Sequence, residues 1–419
     1  MSDEQNNAGA KRSPVHAAMS QFQVRDGELV VGGERLSLLA ARVGRTPFYA
    51  YDRALMAQRV AELRRAIPAG VKLHYAMKAN PMPAVVQWMV GLVDGIDVAS
   101  AGELKVALDA GANPREVSFA GPGKRNAELR QAVASRVLVN LESAREIAVL
   151  RAVSDELGIP ARVAVRVNPD FELKGSGMKM GGGPKQFGVD AEQLPALLEE
   201  IGRAGLAFEG FHLFAGSQNL RAESICEAQQ KSYELALRLS VHAPAPIRFL
   251  NLGGGFGIPY FPGEGRLDLA PIGENLQQIQ LRAKAEMPDA EIVIELGRYL
   301  VGEAGVYVTR VVDRKVSRGQ VYLVTDGGLN HHLSASGNFG QVIRKNYPVT
   351  IGNKADSTDR ETASVVGPLC TPLDLLADRM DMPCADEGDL AVVFQSGAYG
   401  ASASPQAFLG HDAVVEVLV

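Results

Sequence analysis

The 419-residue sequence has few cysteines, a single tryptophan and no long apolar run. Its three cysteines, Cys226, Cys370 and Cys384, are odd in number and lack the paired C-x-x-C spacing of zinc and redox sites. We therefore expect no metal site and a reducing compartment. No stretch reaches the roughly 18 apolar residues of a membrane span, and the polar first twenty residues lack a signal-peptide core. These absences predict a cytoplasmic protein without a membrane segment.

Basic runs are also absent. Lys and Arg number 43 against 48 Asp and Glu, which gives a formal net charge of -5, and no basic segment stands out to bind a nucleic acid. A content of 46% hydrophobic and 22% charged residues is typical of a globular protein with a substantial core. The length suits two domains, one of which could be a barrel of about 250 residues.

The chain begins with an expected β-hairpin. Apolar and polar residues alternate over Phe22–Val31 around Asp26-Gly27, a pair that favours a tight hairpin turn. We predict that residues 1–44 form an N-terminal segment that joins a β-rich domain.

Short strand-like runs alternate with helical segments over residues 45–300, which predicts parallel strands with crossover helices. This pattern places the chain in the α/β class, with a TIM-like (β/α)₈ barrel. Nine runs compete for eight barrel positions, and the pattern does not say which one lies outside. The runs are Phe48–Tyr51, Leu73–Met77, Gly95–Val98, Val117–Ala120, Val137–Asn140, Val163–Val167, Gly210–Phe214, Phe249–Leu252 and Glu291–Ile294.

Helices become scarce after Val301, and β-rich runs return at Val306–Val312, Val321–Thr325, Ser364–Val366, Leu390–Phe394 and Val414–Leu418. We predict that residues 301–419 form an all-β domain that includes the N-terminal hairpin, with the barrel inserted between its two pieces. The Gly-rich stretch Lys174–Lys185 is polar, and we expect it to cover the barrel mouth as a lid.

Lys78 ends the apolar run of Leu73–Pro81. An ammonium beside apolar neighbours is costly unless it is paired, neutralised by a lowered pKa, or used covalently as a Schiff base. The alternative is a strand-end lysine whose stem covers apolar surface while its head reaches water. Because barrel active sites lie at the C-terminal ends of the strands, Lys78 would share one mouth with the other strand-end residues.

Three further strands carry chemistry-bearing residues at or near their ends. The glycines of Gly253–Gly257 either form a tight βα turn or let backbone N–H groups approach a phosphate, and the three in a row favour the phosphate. Glu295 and Arg298 are either a local ion pair or separate partners for a ring N–H⁺ and an anionic group. His212 is either a satisfied core histidine or a residue that stacks on a flat cofactor.

The second domain has two turn-rich segments, Gly367–Asp374 and Gly397–Gly400, which carry the thiol of Cys370 and the phenol of Tyr399. For Cys370 taken alone, a buried and inert thiol is the usual explanation.

Ordered motifs over about Phe48 to Tyr399 resemble the fold type III pyridoxal-phosphate decarboxylases, the family of diaminopimelate, ornithine and arginine decarboxylases. The resemblance implies an alanine racemase-like barrel with a β-domain, pyridoxal 5'-phosphate as cofactor, and loss of the α-carboxylate of an amino acid or derivative. The motifs are Tyr75–Asn80, Asp97–Glu103, Phe119–Lys124, Arg166–Asn168, Gly253–Gly255, Glu295–Arg298, Gly367–Cys370 and Gly397–Tyr399.

The resemblance also implies roles for single residues. Lys78 would carry the cofactor as a Schiff base, Glu295 would keep the pyridine nitrogen protonated, and His212 would stack on the ring. Cys370 would donate a proton after CO₂ loss, from the partner chain of a homodimer with shared active sites. The phosphate would be held by Ser217, Gly254, Gly255, Arg298 and Tyr399, and the other side of the ring would lie near Asp97 and Arg166.

The segments expected to contact the distal end of the substrate depart from the family. Diaminopimelate decarboxylases carry an arginine after the Asp-x-Gly turn, but Asp326-Gly-Gly is followed here by Ser334 and no arginine. The acidic residue expected after the cysteine is Thr371, with Asp374 three positions later. A free distal ammonium would therefore lack a charge-assisted partner.

We assign Asp326, Ser334, Thr371 and Asp374 to substrate binding and expect a distal end that is uncharged or masked. These departures resemble a side branch associated with exosortase systems, and another that acts on an aminoacyl group held by an acyl-carrier protein. Two other functions share parts of the pattern. A non-enzymatic pyridoxal-phosphate carrier usually lacks the β-domain, and an amino-acid racemase needs a second base where Cys370 is expected.

Overall fold

The computed structural model describes residues 15–171, 178–179 and 181–419. The predicted lid therefore lies in part outside the described residues, as does the start of the N-terminal segment. The predicted hairpin is present: β1 (Val24–Arg25) pairs antiparallel with β2 (Glu28–Val31). Asp26 and Gly27 both have positive φ, as a two-residue hairpin turn requires. The segment continues through β3 (Glu34–Arg35), helix α1 (Leu36–Val43) and strand β4 (Phe48–Tyr51).

The predicted eight-stranded parallel barrel is confirmed. Its strands pair in the order β5-β6-β7-β8-β9-β12-β14-β15, and β15 pairs back with β5 to close the barrel. Short strands β10 and β13 pair with each other, and β11 extends β9. In chain order these strands are β5 (Lys72–Ala76), β6 (Gly95–Val98), β7 (Val117–Phe119), β8 (Leu138–Leu141), β9 (Arg162–Asn168), β10 (Met178–Lys179), β11 (Val189–Asp190), β12 (Ala207–Leu213), β13 (Gly216–Ser217), β14 (Phe249–Gly254) and β15 (Glu291–Leu296).

Helices surround the barrel, and side chains cap several of them. Asp52 accepts hydrogen bonds from the first backbone N–H groups of α2, and Ser100 does the same for α4. Gly158 and Gly205 end α6 and α7 in the left-handed conformation that favours glycine. The helices are α2 (Arg53–Ala66), α3 (Pro83–Val90), α4 (Ala101–Asp109), α5 (Asn126–Ser135), α6 (Arg145–Leu157), α7 (Leu194–Ala204), α8 (Ala222–Ser240), α9 (Ala270–Glu286) and α10 (Arg298–Val301).

The barrel interior changes from apolar to polar along its axis. Side chains of a strand alternate between its two faces, so every second residue points inward. Four strands contribute a separate apolar cluster near their N-terminal ends, consisting of Leu138, Ala164, Phe249 and Val293. Buried polar residues lie two positions further along the same strands. They are Asn140, Arg166, Asn251 and Glu295. The polar layer lies at the mouth, where the sequence predicts the active site.

The second domain consists mostly of strands, as predicted. Its path is β18-β21-β16-β17-β19-β20, and β4 joins it by pairing antiparallel with β16 and parallel with β22. Of the nine predicted strand-like runs, Phe48–Tyr51 is therefore the one outside the barrel. The strands are β16 (Gly305–Ser317), β17 (Gln320–Thr325), β18 (Val349–Ile351), β19 (Arg360–Val366), β20 (Leu375–Pro383), β21 (Leu390–Val393) and β22 (Val415–Leu418).

The N-terminal hairpin packs on this second sheet without extending it. Among the described residues its strands pair only with one another, while Gly27 O in the turn accepts a hydrogen bond from Ala355 N. Apolar contact joins the two, because Phe22, Leu29 and Val31 share one buried cluster with Val306 and Val392. The division of the chain at residues 44 and 300 stays a prediction, and the strand pairing places residues 48–51 with the second sheet.

Candidate active site

Lys78 lies directly after β5, on a single 3₁₀ turn formed by Met77–Ala79. Its Nζ is 3.9 Å from Glu295 Oε1 and 5.5 Å from the centroid of the Phe214 ring, and 44% of its side chain is exposed. The turn is held by the second domain, since Tyr399 N donates to Ala79 O at 2.7 Å. The lysine therefore stands at the mouth, beside a buried carboxylate.

Glu295 on β15 and His212 on β12 are both buried, and Glu295 Oε2 lies 2.9 Å from His212 Nε2. The contact lacks hydrogen-bond geometry, so both ring nitrogens of His212 have no hydrogen-bond partner among the described residues. Burial alone would raise the pKa of Glu295, but His212 and the positive charges of Lys78 and Arg166 outweigh burial and lower the pKa. Glu295 is therefore an ionised carboxylate in a buried position.

Asp97 and Arg166 line the same cavity from the other side. Asp97 Oδ1 accepts hydrogen bonds from Ser118 Oγ at 2.6 Å and from His74 Nδ1 at 3.0 Å. Arg166 Nη1 donates to Glu142 Oε1 at 3.0 Å. The cavity has a volume of about 310 Å³, within the range of small-molecule sites. Its predicted site residues are Lys78, Asp97, Arg166, His212 and Glu295.

A smaller recess of about 30 Å³ adjoins Lys78 and is lined by Ser217, Gly255, Arg298 and Tyr399. Ser217 Oγ is buried and has no hydrogen-bond partner among the described residues. Gly255 has a φ of 72°, and a Cβ there would lie 2.1 Å from Gly216 O. The adjacent Gly254 is equally constrained, because a Cβ would lie 2.1 Å from Glu295 O. Only glycine fits at either position.

Arg298 supplies the positive charge of this recess. Its guanidinium carbon lies 4.7 Å from the ring centroid of Tyr399 and 5.3 Å from that of Tyr260. Arg298 Nη1 also donates to Tyr260 Oη at 3.0 Å. Burial would lower the pKa of Arg298, but the surrounding tyrosines raise it, so the guanidinium stays charged. A buried cation beside an unpaired hydroxyl and bare glycines suits an anionic group.

The residues assigned to the distal end of the substrate have other contacts. Asp326 Oδ1 accepts from Thr309 Oγ1 at 2.7 Å, and Asp374 accepts from the backbone N–H groups of Leu329 and Leu369. These carboxylates hold loops of the second domain in place, and their contacts do not favour a direct role in substrate binding. Ser334 Oγ donates to Tyr399 O at 2.8 Å, so Ser334 does lie next to a residue of the recess.

Cys370 is exposed and Thr371 is half-buried. Neither residue lines the two cavities around Lys78. Within a single chain the Cys370 thiol therefore does not contribute to either of these cavities.

His74, Ser118 and Tyr260 contact predicted site residues but were not themselves predicted as part of the site. The strand pattern held a signal for the first two, because inward-facing positions recur every second residue along β5 and β7. Nothing in the sequence marked Tyr260. Among the residues that the structure describes, no group of three or more His, Cys, Asp and Glu side chains could hold a metal, and no helix could cross a membrane.

Comparison with known proteins identifies the family. The model of the pyridoxal binding domain of pyridoxal-dependent decarboxylases matches residues 53–302, more than half of the chain. The chain is 38% identical over 383 residues to the L-glutamyl-[BtrI acyl-carrier protein] decarboxylase of Niallia circulans, which covers 89% of this chain and 88% of that protein. It is 34% identical over 386 residues to the diaminopimelate decarboxylase of Aquifex aeolicus (strain VF5), covering 90% of this chain and 88% of that protein.

A solved structure confirms the fold. The crystal structure of diaminopimelate decarboxylase from Helicobacter pylori complexed with L-lysine matches with a TM-score of 0.81 at 27% identity. The match covers 91% of this chain and 94% of that one. The chain therefore belongs to the pyridoxal-dependent decarboxylases, and it is a pyridoxal-phosphate-dependent amino-acid decarboxylase with an alanine racemase-like fold.

Proposed function

We propose that this enzyme removes the α-carboxylate of an amino-acid derivative whose distal end is uncharged or masked, and that an aminoacyl group on an acyl-carrier protein is its substrate. The observation that carries the proposal is the pair of neutral hydroxyl residues, Ser334 and Thr371, at the positions expected to bind a charged distal end. The relative from Niallia circulans, named for a carrier-bound glutamyl group, supports the same substrate class.

The described residues fit the cofactor. His212 offers a buried ring without hydrogen-bond partners, as stacking on a flat group requires, and Ser217 Oγ is a buried hydroxyl without a partner. Gly254 and Gly255 leave backbone exposed beside Arg298, as a phosphate requires. We assign the phosphate to Ser217, Gly254, Gly255, Arg298 and Tyr399.

Each remaining residue has one proposed task. Lys78 would hold the cofactor covalently through Nζ, Glu295 would keep a proton on the ring nitrogen, and His212 would stack on the ring. Asp97 and Arg166 would lie near its other side. When bound, the cofactor withdraws electrons from the substrate α-carbon and so favours loss of CO₂. The lowered pKa of Glu295 keeps its carboxylate charged, and a charged carboxylate stabilises the protonated ring nitrogen.

We further propose that the enzyme is a cytoplasmic homodimer in which Cys370 of the partner chain protonates the substrate carbon. The exposed position of Cys370, away from the cavity of its own chain, supports this arrangement. Exposed apolar side chains, among them Phe339, Val342, Ile343 and Leu373, offer contact area for a second copy.

A CO₂-release screen over free and thioester-linked amino acids tests the proposed function. We expect turnover of a carrier-linked or otherwise masked substrate, with Lys78→Ala as the inactive control. Turnover of free meso-diaminopimelate at the rate of its dedicated decarboxylases would refute the masked distal end. Exchange of the α-hydrogen with solvent, without CO₂, would instead indicate a racemase.

A further inference from the structure

A buried histidine below the cofactor cavity has no task in the proposed function. His74 lies on β5, in the same stretch as Lys78, and only 2% of it is exposed. It lines a third cavity of about 440 Å³, which opens among the charged residues at the N-terminal ends of the barrel strands. His74 therefore occupies the barrel axis between the two ends.

His74 contacts the cofactor cavity through Asp97. His74 Nδ1 donates to Asp97 Oδ1, and Ser118 Oγ donates to the same oxygen. Asn140 Nδ2 in turn donates to Ser118 Oγ at 3.1 Å, so four strands contribute to one buried polar chain. Asp97 Oδ2 has no hydrogen-bond partner among the described residues. The Asp97 carboxylate is thus held from below by one oxygen, which leaves the other oxygen available at the cavity.

The charges around His74 favour its protonated form. A buried carboxylate is costly without a nearby cation or sufficient hydrogen bonds. Burial alone would lower the pKa of His74, but the charge and hydrogen bond of Asp97 raise it, and Glu116 and Glu295 act in the same direction. Lys72, on the same strand, contacts Glu116 and Glu291.

We propose that His74 is a positioning residue for the cofactor site: as a hydrogen-bonded cation beside Asp97, it keeps that carboxylate turned so that Oδ2 faces the cofactor cavity. This inference rests on the cofactor site described under the proposed function. The rival explanation is that His74 only fills space, since its ring packs 6.1 Å from that of Phe249 and its Nε2 lies close to Gly95.

A double-mutant cycle separates the two explanations. The variants are His74→Leu, Asp97→Asn and their combination, with His74→Asn as the conservative change, because Asn Nδ2 takes the place of His Nδ1 and keeps the donor. The readouts are the dissociation constant of pyridoxal phosphate, measured by equilibrium dialysis, and the midpoint pH of the absorbance change of the bound cofactor.

We expect His74→Leu to weaken cofactor binding about tenfold alone, and by no more than about twofold when Asp97 is already Asn. In His74→Asn binding stays within about threefold, whereas the absorbance midpoint moves up by at least about half a pH unit, because a nearby positive charge is lost. An equal loss with and without Asp97, or an unchanged midpoint in His74→Asn, would overturn the proposal. If His74→Leu does not fold, the midpoint of His74→Asn decides. Failure of the unmodified protein to bind the cofactor would refute the proposed site instead.

Discussion

Glu295 Oε2 and His212 Nε2 approach to 2.9 Å across the barrel mouth without forming a hydrogen bond of good geometry. The two side chains come from β15 and β12, which are separated by β14. This arrangement leaves the face of the His212 imidazole free to stack on the cofactor ring. It also leaves the Glu295 carboxylate free to accept a hydrogen bond from the ring nitrogen. The arrangement explains why two buried polar residues, costly in isolation, are placed together.

Replacing Glu295 tests this division of tasks. Glu295→Gln has the same shape but no charge, so the ring nitrogen of the cofactor loses its protonating partner. We expect kcat to fall about a hundredfold or more while the cofactor stays bound. Steady-state CO₂ release and the absorbance of the bound cofactor measure the two effects. Unchanged kcat would remove Glu295 from the proposed site.

Tyr260→Phe tests whether the hydrogen bond from Arg298 to Tyr260 matters for cofactor binding. The change removes the hydroxyl that accepts from Arg298 Nη1 and keeps the ring beside the guanidinium. Because a hydrogen bond to a charged group contributes about 1.5–3 kcal/mol, we expect roughly tenfold weaker cofactor binding. Tyr233→Phe is the matched control, since its hydroxyl donates to Glu286 away from the site. Equal effects of both changes would argue against a specific role of Tyr260.

Mixing inactive variants tests the shared active site. In a head-to-tail dimer of Lys78→Ala and Cys370→Ala chains, one of the two sites regains both an intact lysine and an intact cysteine. Random mixing makes half of the dimers hybrid, so we expect about a quarter of the unmodified activity to return. The measurement is CO₂ release after co-refolding, with each variant alone as the control. No recovery in verified hybrid dimers would place Cys370 within its own chain's site or outside the chemistry.

His332 predicts an acid-dependent loss of stability. Complete burial lowers the pKa of His332 to about 3, whereas an unfolded histidine titrates near its ordinary value of 6.5. Between these two pH values His332 is protonated in the unfolded chain but neutral in the folded chain. The free energy of unfolding therefore falls as the pH drops through this window. The contribution to the slope approaches about 1.4 kcal/mol per pH unit.

Urea denaturation at several pH values measures this slope. His332→Gln should flatten the dependence between pH 6.5 and 3, even if the variant is less stable throughout. His242→Gln, which changes an exposed histidine after α8, serves as the control. The same slope in both variants would show that His332 titrates normally in the folded protein.

The sequence pattern was sufficient for the barrel and for the residues at its strand ends. All eight strands, and the cavity that gathers Lys78, Glu295 and His212, agree with the prediction, because strand ends of a parallel barrel meet at one mouth. Strands β18 and β20 were missed. The first has only three residues, and the second ends the sheet path and carries Asp378, Arg379 and Asp381, which obscure an apolar alternation.

Side-chain roles in loops were harder to predict. The assignment of Asp326 and Asp374 to substrate binding stays a prediction, because a sequence motif does not reveal which donors surround a carboxylate. In the structure Asp374 binds two backbone N–H groups, of Leu329 and Leu369. Tyr260 was not predicted, because its contact with Arg298 joins residues that are far apart in the sequence and no motif links them.

The turn that carries Lys78 is fastened from outside the barrel. Tyr399 N donates to Ala79 O, and Asn80 Nδ2 donates to Gly397 O, so two hydrogen bonds from the second domain frame the lysine. A barrel expressed alone would lose both anchors and also the wall that Tyr399 contributes to the recess. The region after Val301 thus completes the surroundings of Lys78, because both hydrogen bonds and the Tyr399 wall of the recess depend on it.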